Sequence, residues 1–124
     1  MEVKQINLEK FRGNNSSLFT GRPQGESARL ELKLDENDKK LNKIIFNIPK
    51  GTSSFNPSFY LGLLYDSIKN LGIDKYEEYY QFEISDLNAD TRGVLQENLE
   101  DGKRNAINTL TGKSGLGRFL NKNK

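Results

Sequence analysis

A chain of 124 residues is long enough for one compact domain and short of two. Hydrophobic residues make up 34% and charged residues 29%, so the core is small, and the lack of His and Cys excludes a Ser-His-Asp triad, a Cys-His dyad, a structural zinc site and a disulfide framework. The net charge of +2 conceals an uneven distribution. From Lys103 onward the cations Lys103, Arg104, Lys113, Arg118, Lys122 and Lys124 meet no acidic residue, while the body before them is mildly acidic.

In chain order, Val3 to Phe11 alternates in polarity and predicts a first strand. Gly13-Asn14-Asn15-Ser16-Ser17 is a turn cluster. After Leu18-Phe19, Thr20-Gly21-Arg22-Pro23-Gln24-Gly25-Glu26 has the character of a loop running into a helix, expected over about Gln24 to Leu34. Ala28, Leu30, Leu32 and Leu34 are available for packing there, and the spacing of two among the leucines keeps a strand as the competing reading. Asp35 to Asn42 is polar and is expected as a connector. Lys43-Ile44-Ile45-Phe46-Asn47-Ile48 is β-branched and nearly continuous in apolar character, the mark of a central strand, and Pro49-Lys50-Gly51 ends it.

A second helix is expected from Pro57 to about Leu71, where Tyr60, Leu64, Ile68 and Leu71 form an amphipathic stripe and Gly72 supplies the stop. Asp74 to Tyr79 reads as a short helical turn and Tyr80-Gln81-Phe82-Glu83-Ile84 as an alternating strand. A last helix follows over about Asp90 to Asn108, weakened by Gly93 and Gly102. Strands alternating with helices place the chain in the α/β class with one central sheet. The domain is expected to cover residues 1–108, and residues 109–124 to form a basic, flexible tail. No apolar run approaches the roughly 18 residues that cross a bilayer. Met1-Glu2-Val3-Lys4 opens no secretory signal, so the expected location is the cytoplasm without membrane insertion.

Few motifs carry chemistry. Thr111-Gly112-Lys113-Ser114 has the ending of a phosphate-binding loop, but the first glycine of that motif falls on Ile107, inside the expected last helix. Adjacent carboxylates such as Asp35/Glu36 and Glu77/Glu78 diverge on regular structure and fit a solvated face better than acid-base catalysis. Arg22, in its short glycine-flanked loop, is a candidate contact residue near a helix start, where unpaired N–H groups favour anions. The most informative stretch runs from the Ile44–Ile48 strand through Thr52, Ser53, Ser54, Asn56 and Ser58. Asn56 is a favoured N-cap, Pro57 suits the first helical position, and Ser58 then stands in the first turn. A phosphate on Ser58 would add roughly −1.5 to −2 charges at the positive end of a helix.

At this junction the sequence resembles the STAS-like family of small bacterial and phage domains, related in outline to the STAS anti-sigma-factor antagonists. The resemblance covers about Leu18 to Asn105. It rests on Phe19-Thr20-Gly21-Arg22-Pro23-Gln24-Gly25-Glu26, on the Ile44–Ile48 strand and on Ser53-Ser54-Phe55-Asn56-Pro57-Ser58-Phe59-Tyr60-Leu61-Gly62-Leu63. It places Ser58 on the serine that a partner kinase phosphorylates, and Leu61-Gly62 on the pair that packs the helix. Pro57, Phe59 and Tyr60 depart from the antagonist pattern. The resemblance implies a STAS-like fold, a mixed central sheet packed by helices, and a non-enzymatic regulatory module without cofactor or metal. Its partner would be a protein, either a histidine-kinase-like ATPase or another regulator, met through Thr52, Ser53, Ser54, Asn56, Ser58 and Arg22. The alternative from charge alone is a nucleic-acid-binding accessory protein, or a phage-encoded modulator, using the basic tail.

Overall fold

A computed structural model of the chain describes residues 2–12 and 16–112. The order is β1 (Val3–Asn7), a 3-10 turn (Glu9–Phe11), β2 (Leu18–Phe19), α1 (Arg22–Leu32), α2 (Leu34–Lys40), β3 (Lys43–Asn47), β4 (Ser54–Phe55), α3 (Pro57–Leu71), α4 (Ile73–Tyr79), β5 (Tyr80–Glu83) and α5 (Ala89–Thr111). The α/β class expected from the sequence is therefore present. So is the central strand, since β3 lies between β1 and β5. The expected mixed sheet is not. All three strands are parallel, as is the separate β2–β4 pair. The reason lies in the connections. β1 returns to β3 through α1 and α2, and β3 to β5 through α3 and α4; helical crossovers of that length deliver the chain back to the same end of the sheet.

Two further expectations change. Only Val3–Asn7 of the first stretch is strand, and the polar Asp35–Asn42 connector is mostly α2. The α2 pattern is Leu34, Asn37, Asp38 and Leu41, a helical spacing in which the inward positions Asn37 and Asp38 are polar yet buried. In α1 the helix prevails over the strand reading. Ala28 is buried and Leu32 half-buried, whereas Leu30 remains 75% exposed; the helix stops at Leu32, and the buried Leu34 begins α2.

The strands advance in one direction across the sheet. With right-handed crossovers, that order sets both helical connections on the same face. Ile44, Phe46 and Tyr80 point into that covered face and are buried. On the opposite face Val3, Gln5, Asn7, Gln81 and Glu83 are exposed and Ile45 is half-buried.

Above the covered face, α1 crosses α3 with Gly25 against Gly62. A Cβ on Gly62 would stand 2.2 Å from the Arg22 carbonyl oxygen, and one on Gly25 would stand 2.3 Å from that of Phe59. The packing role expected for Gly62 is thus realised against another glycine. Phe55 links the layers, its ring centroid 5.2 Å from Phe59 on α3 and 5.5 Å from Phe82 on β5. Gly102, expected only to weaken α5, lets that helix lie on Tyr60, whose Cγ would be 2.5 Å from an added Cβ.

Candidate functional site

The loops that leave β3 and β5 meet at the carboxyl end of the sheet. After β3 the Ile48 N–H still donates to the Glu83 carbonyl at 3.0 Å, and Pro49, which has no N–H, ends the ladder. Gly51 takes φ +83, a conformation costly for residues with a side chain, and the Thr52 N–H closes the turn on the Pro49 carbonyl at 3.3 Å. This turn carries Thr52 inward. Its Oγ1 accepts from Arg12 Nη1 at 3.0 Å, and the same nitrogen donates to the Lys50 carbonyl at 3.2 Å. Thr52 is 2% exposed, so its hydroxyl braces the loop.

Ser53 faces outward. Its Oγ lies 2.7 Å from Ser17 Oγ, and its N–H donates to the Ser17 carbonyl at 2.8 Å. Ser54 is a half-buried member of β4. The Phe55 N–H donates to Asn98 Oδ1 of α5 at 2.9 Å, which ties β4 to the last helix. Asn56 caps α3 as the sequence predicts, its Oδ1 accepting from the Ser58 N–H at 2.8 Å. The Ser58 hydroxyl donates to the same Asn56 oxygen at 2.7 Å and accepts from the Gly21 N–H at 3.2 Å. It is half-buried and fastens the start of α1 to that of α3.

The six expected contact residues therefore divide. Thr52 and Ser53 belong to the loop braced by Arg12 and Ser17. Asn56 and Ser58 belong to the α1–α3 entrance, with Ser54 in β4 between the two groups. Arg22 adjoins Gly21, but its guanidinium lies along α1, with Nε 3.8 Å from Glu26 and the group 5.8 Å from the Tyr65 ring.

Across from Thr52 and Ser53 stands the turn between β5 and α5. Lys50, Gly51, Thr52 and Ser53 on one side and Asp86, Leu87, Asn88 and Thr91 on the other line an open cleft of about 410 Å³. Asn88 caps α5, its Oδ1 accepting from the Thr91 N–H at 2.9 Å. The walls offer one ammonium, one carboxylate, hydroxyls and an amide, a set suited to hydrogen bonding with a polar surface. Among the described residues no group of three His, Cys, Asp or Glu side chains is placed to hold a metal ion. The sequence signal for this second wall was Leu87-Asn88-Ala89-Asp90, legible as a helix start. Nothing local in the sequence announced that Arg12 would brace the first wall from 40 residues away.

A second polar cluster, also missed from sequence, lies on the helical side near the amino ends of the strands. Arg29 Nη2 donates to Asp38 Oδ2 at 3.0 Å and to Asp35 Oδ1 at 2.6 Å, while Nη1 donates to Ser67 Oγ at 2.8 Å and to the Leu63 carbonyl at 2.9 Å. Ser67 and the Tyr80 hydroxyl donate to Asp38, and Asn37 Nδ2 donates to Tyr80 at 3.2 Å. Burial acts to lower the Arg29 pKa, but the hydrogen bonds to Asp35 and Asp38 outweigh it and hold the group above its ordinary value. Burial also pushes the Tyr80 phenol well above its ordinary value, assisted by the hydrogen bond to Asp38. Each charge here is answered by a partner, which marks a brace joining α1, α2, α3 and β5.

Of the basic tail, Lys103 and Arg104 lie within α5, Lys103 Nζ 3.5 Å from Glu77 and Arg104 Nη1 2.7 Å from Asp101. Lys113, Arg118, Lys122 and Lys124, with Ser114 of the phosphate-loop ending, lie outside the described residues. Helix α5 runs through Thr111, slightly past the expected domain limit, and contains Ile107 as expected. No helix among the described residues is long and apolar enough to cross a membrane. Comparison with known protein families, curated proteins and solved structures finds no match.

Proposed function

We propose that the chain is a non-enzymatic regulatory module that binds a protein partner at the carboxyl-end cleft, with Ser53 and the Asp86–Thr91 wall as its contact surface. The observation that carries the reading is the pairing of an exposed polar loop with a polar wall across about 410 Å³ at the carboxyl end of a parallel sheet. That is the end at which the loops leaving β3 and β5 converge. The bracing supports it too, because a loop pinned by Arg12 and Ser17 presents its outward groups with little ordering cost on binding.

The resemblance to STAS-like domains rests on the sequence and gives the narrower form of this reading, a histidine-kinase-like ATPase as partner with Ser58 as its phosphate acceptor. In that form Ser58 must give up its bonds to Asn56 and Gly21, so modification would loosen the α1–α3 entrance as well as add charge.

Because the chain has no cysteine, a photo-cross-linker can be placed on a single introduced one. Ser53→Cys carrying the probe should give a discrete protein adduct in native cells, and Leu30→Cys, on the exposed side of α1, should give none. Equal labelling from both positions would overturn the proposal. An adduct at Ser53 that is not an ATPase would remove only the narrower form.

A further inference from the structure

We infer that the outer edge of β5 is a strand-addition site for an extended, basic peptide segment of a protein partner, a surface separate from the carboxyl-end cleft. The Ile48 N–H bonds the Glu83 carbonyl, so Glu83, and Gln81 two residues before it, turn their backbone groups toward β3. Backbone groups alternate sides along a strand, so those of Tyr80 and Phe82 point outward. The Tyr80 N–H is taken by the Tyr76 carbonyl at the end of α4. The Tyr80 carbonyl and both backbone groups of Phe82 meet no further strand among the described residues, since β5 ends the sheet. Such an edge pairs readily with another chain.

The edge forms one side of a groove of about 380 Å³, with Tyr76 and Glu77 of α4 on one lip and Leu99, Glu100 and Lys103 of α5 on the other. Tyr60, Phe82 and Leu99 give it an apolar floor for an alternate side chain of an incoming strand, and the Tyr60 and Tyr76 hydroxyls satisfy each other at 2.6 Å. The charge of the lips selects the occupant. Glu77 and Glu100 are more than half exposed, and the cation between them is Lys103, 3.5 Å from one and 3.6 Å from the other. Lys103 thus occupies the place that a partner's basic side chain would take, held by exposed ion pairs of the weak kind. A second copy of the chain would bring the same two carboxylates and one ammonium, a net negative set against a net negative set, which disfavours that occupant.

The test uses the full chain and the probe acetyl-Lys-Val-Lys-Val-Lys-amide, followed by backbone amide NMR. A saturable shift at Phe82 is expected, and N-methylation of alternate peptide amides should weaken binding about tenfold by removing ladder bonds. The acidic counterpart acetyl-Glu-Val-Glu-Val-Glu-amide should not bind. Glu100→Lys, a surface change that leaves the fold intact, should weaken binding, and Lys103→Ala should tighten it by freeing the lips. Absence of a saturable Phe82 shift, equal binding of the methylated or the acidic peptide, or a concentration-dependent Phe82 shift without peptide would each overturn the proposal, the last because a second copy would then fill the edge.

Discussion

The two polar regions at opposite ends of the sheet are built from the same kinds of side chain and behave in opposite ways. Near the amino ends of the strands, Arg29, Asp38, Ser67 and Tyr80 come from four different elements and are buried. At the carboxyl end, residues 52–58 form one contiguous stretch, of which Thr52 and Phe55 are buried and the rest reach solvent in varying degree. Convergence yields a closed brace, because each buried charge needs a partner from another element, although Asn37 Oδ1 within it has none among the described residues. Contiguity yields a surface, because neighbours in sequence cannot all turn inward.

The sharpest way to break that comparison is to remove one charge from the closed region. Asp38→Ala leaves Arg29 without its buried carboxylate and should cost about 3–5 kcal/mol in urea unfolding. Asp35→Ala removes a carboxylate that is 62% exposed and should cost about 1 kcal/mol or less. Similar losses for the two variants would mean that the brace is as open as the carboxyl end.

The helix crossing that lets Arg29 reach Leu63 and Ser67 comes next. Gly62→Ala forces a methyl against the Arg22 carbonyl and should cost about 1–3 kcal/mol, with the loss of the Arg29–Ser67 hydrogen bond visible as a changed arginine side-chain NMR signal. Gly93→Ala on α5 meets nothing within 4 Å and should stabilise by about 0.5–1 kcal/mol through helix propensity.

Alkali probes the brace and the adjoining β5-edge groove without mutation. Burial raises the phenol pKa values of Tyr60, Tyr76 and Tyr80 above the unfolded value near 10. The folded state therefore holds those protons more tightly than the unfolded chain. Stability from this source is complete below about pH 10 and falls as the pH rises above it. Tyrosinate absorbance should accordingly appear together with unfolding. Ionisation of the three buried phenols at an ordinary pH while the fold stays intact would show this side of the molecule to be wet.

Much of the architecture was legible because it depends on local periodicity. The Ile44–Ile48 run, the Asn56-Pro57 start of α3 and the alternation of Tyr80–Ile84 each carry their signal within a few residues. Helix α2 was hidden because its inward face is Asn37 and Asp38, which a hydrophobic pattern discounts. Their burial makes sense only once Arg29 and Tyr80 are beside them. The parallel sheet was likewise hidden, since strand direction depends on where crossovers return rather than on any strand's own residues. At the candidate site, the hydroxyl-rich loop was visible, but which hydroxyl faces out was not. Thr52 and Ser53 are neighbours, and only the distant Arg12 decides that Thr52 turns in.

That decision can be tested with the smallest expected effects on stability. Thr52→Val keeps the shape of the side chain while leaving Arg12 Nη1 with only the Lys50 carbonyl, and should cost about 1 kcal/mol. Ser53→Ala removes an exposed hydroxyl whose partner Ser17 remains open to water, and should change stability by less than about 0.5 kcal/mol. The proposed function reverses their order in partner binding. Ser53→Ala removes a group at the contact surface itself, whereas Thr52→Val acts only through the poise of the loop. Measured side by side with the purified partner, Ser53→Ala should weaken affinity more than Thr52→Val although it scarcely alters the unfolding midpoint. The opposite order in both measurements would make the hydroxyl loop a structural element, no different in kind from the brace at the other end of the sheet.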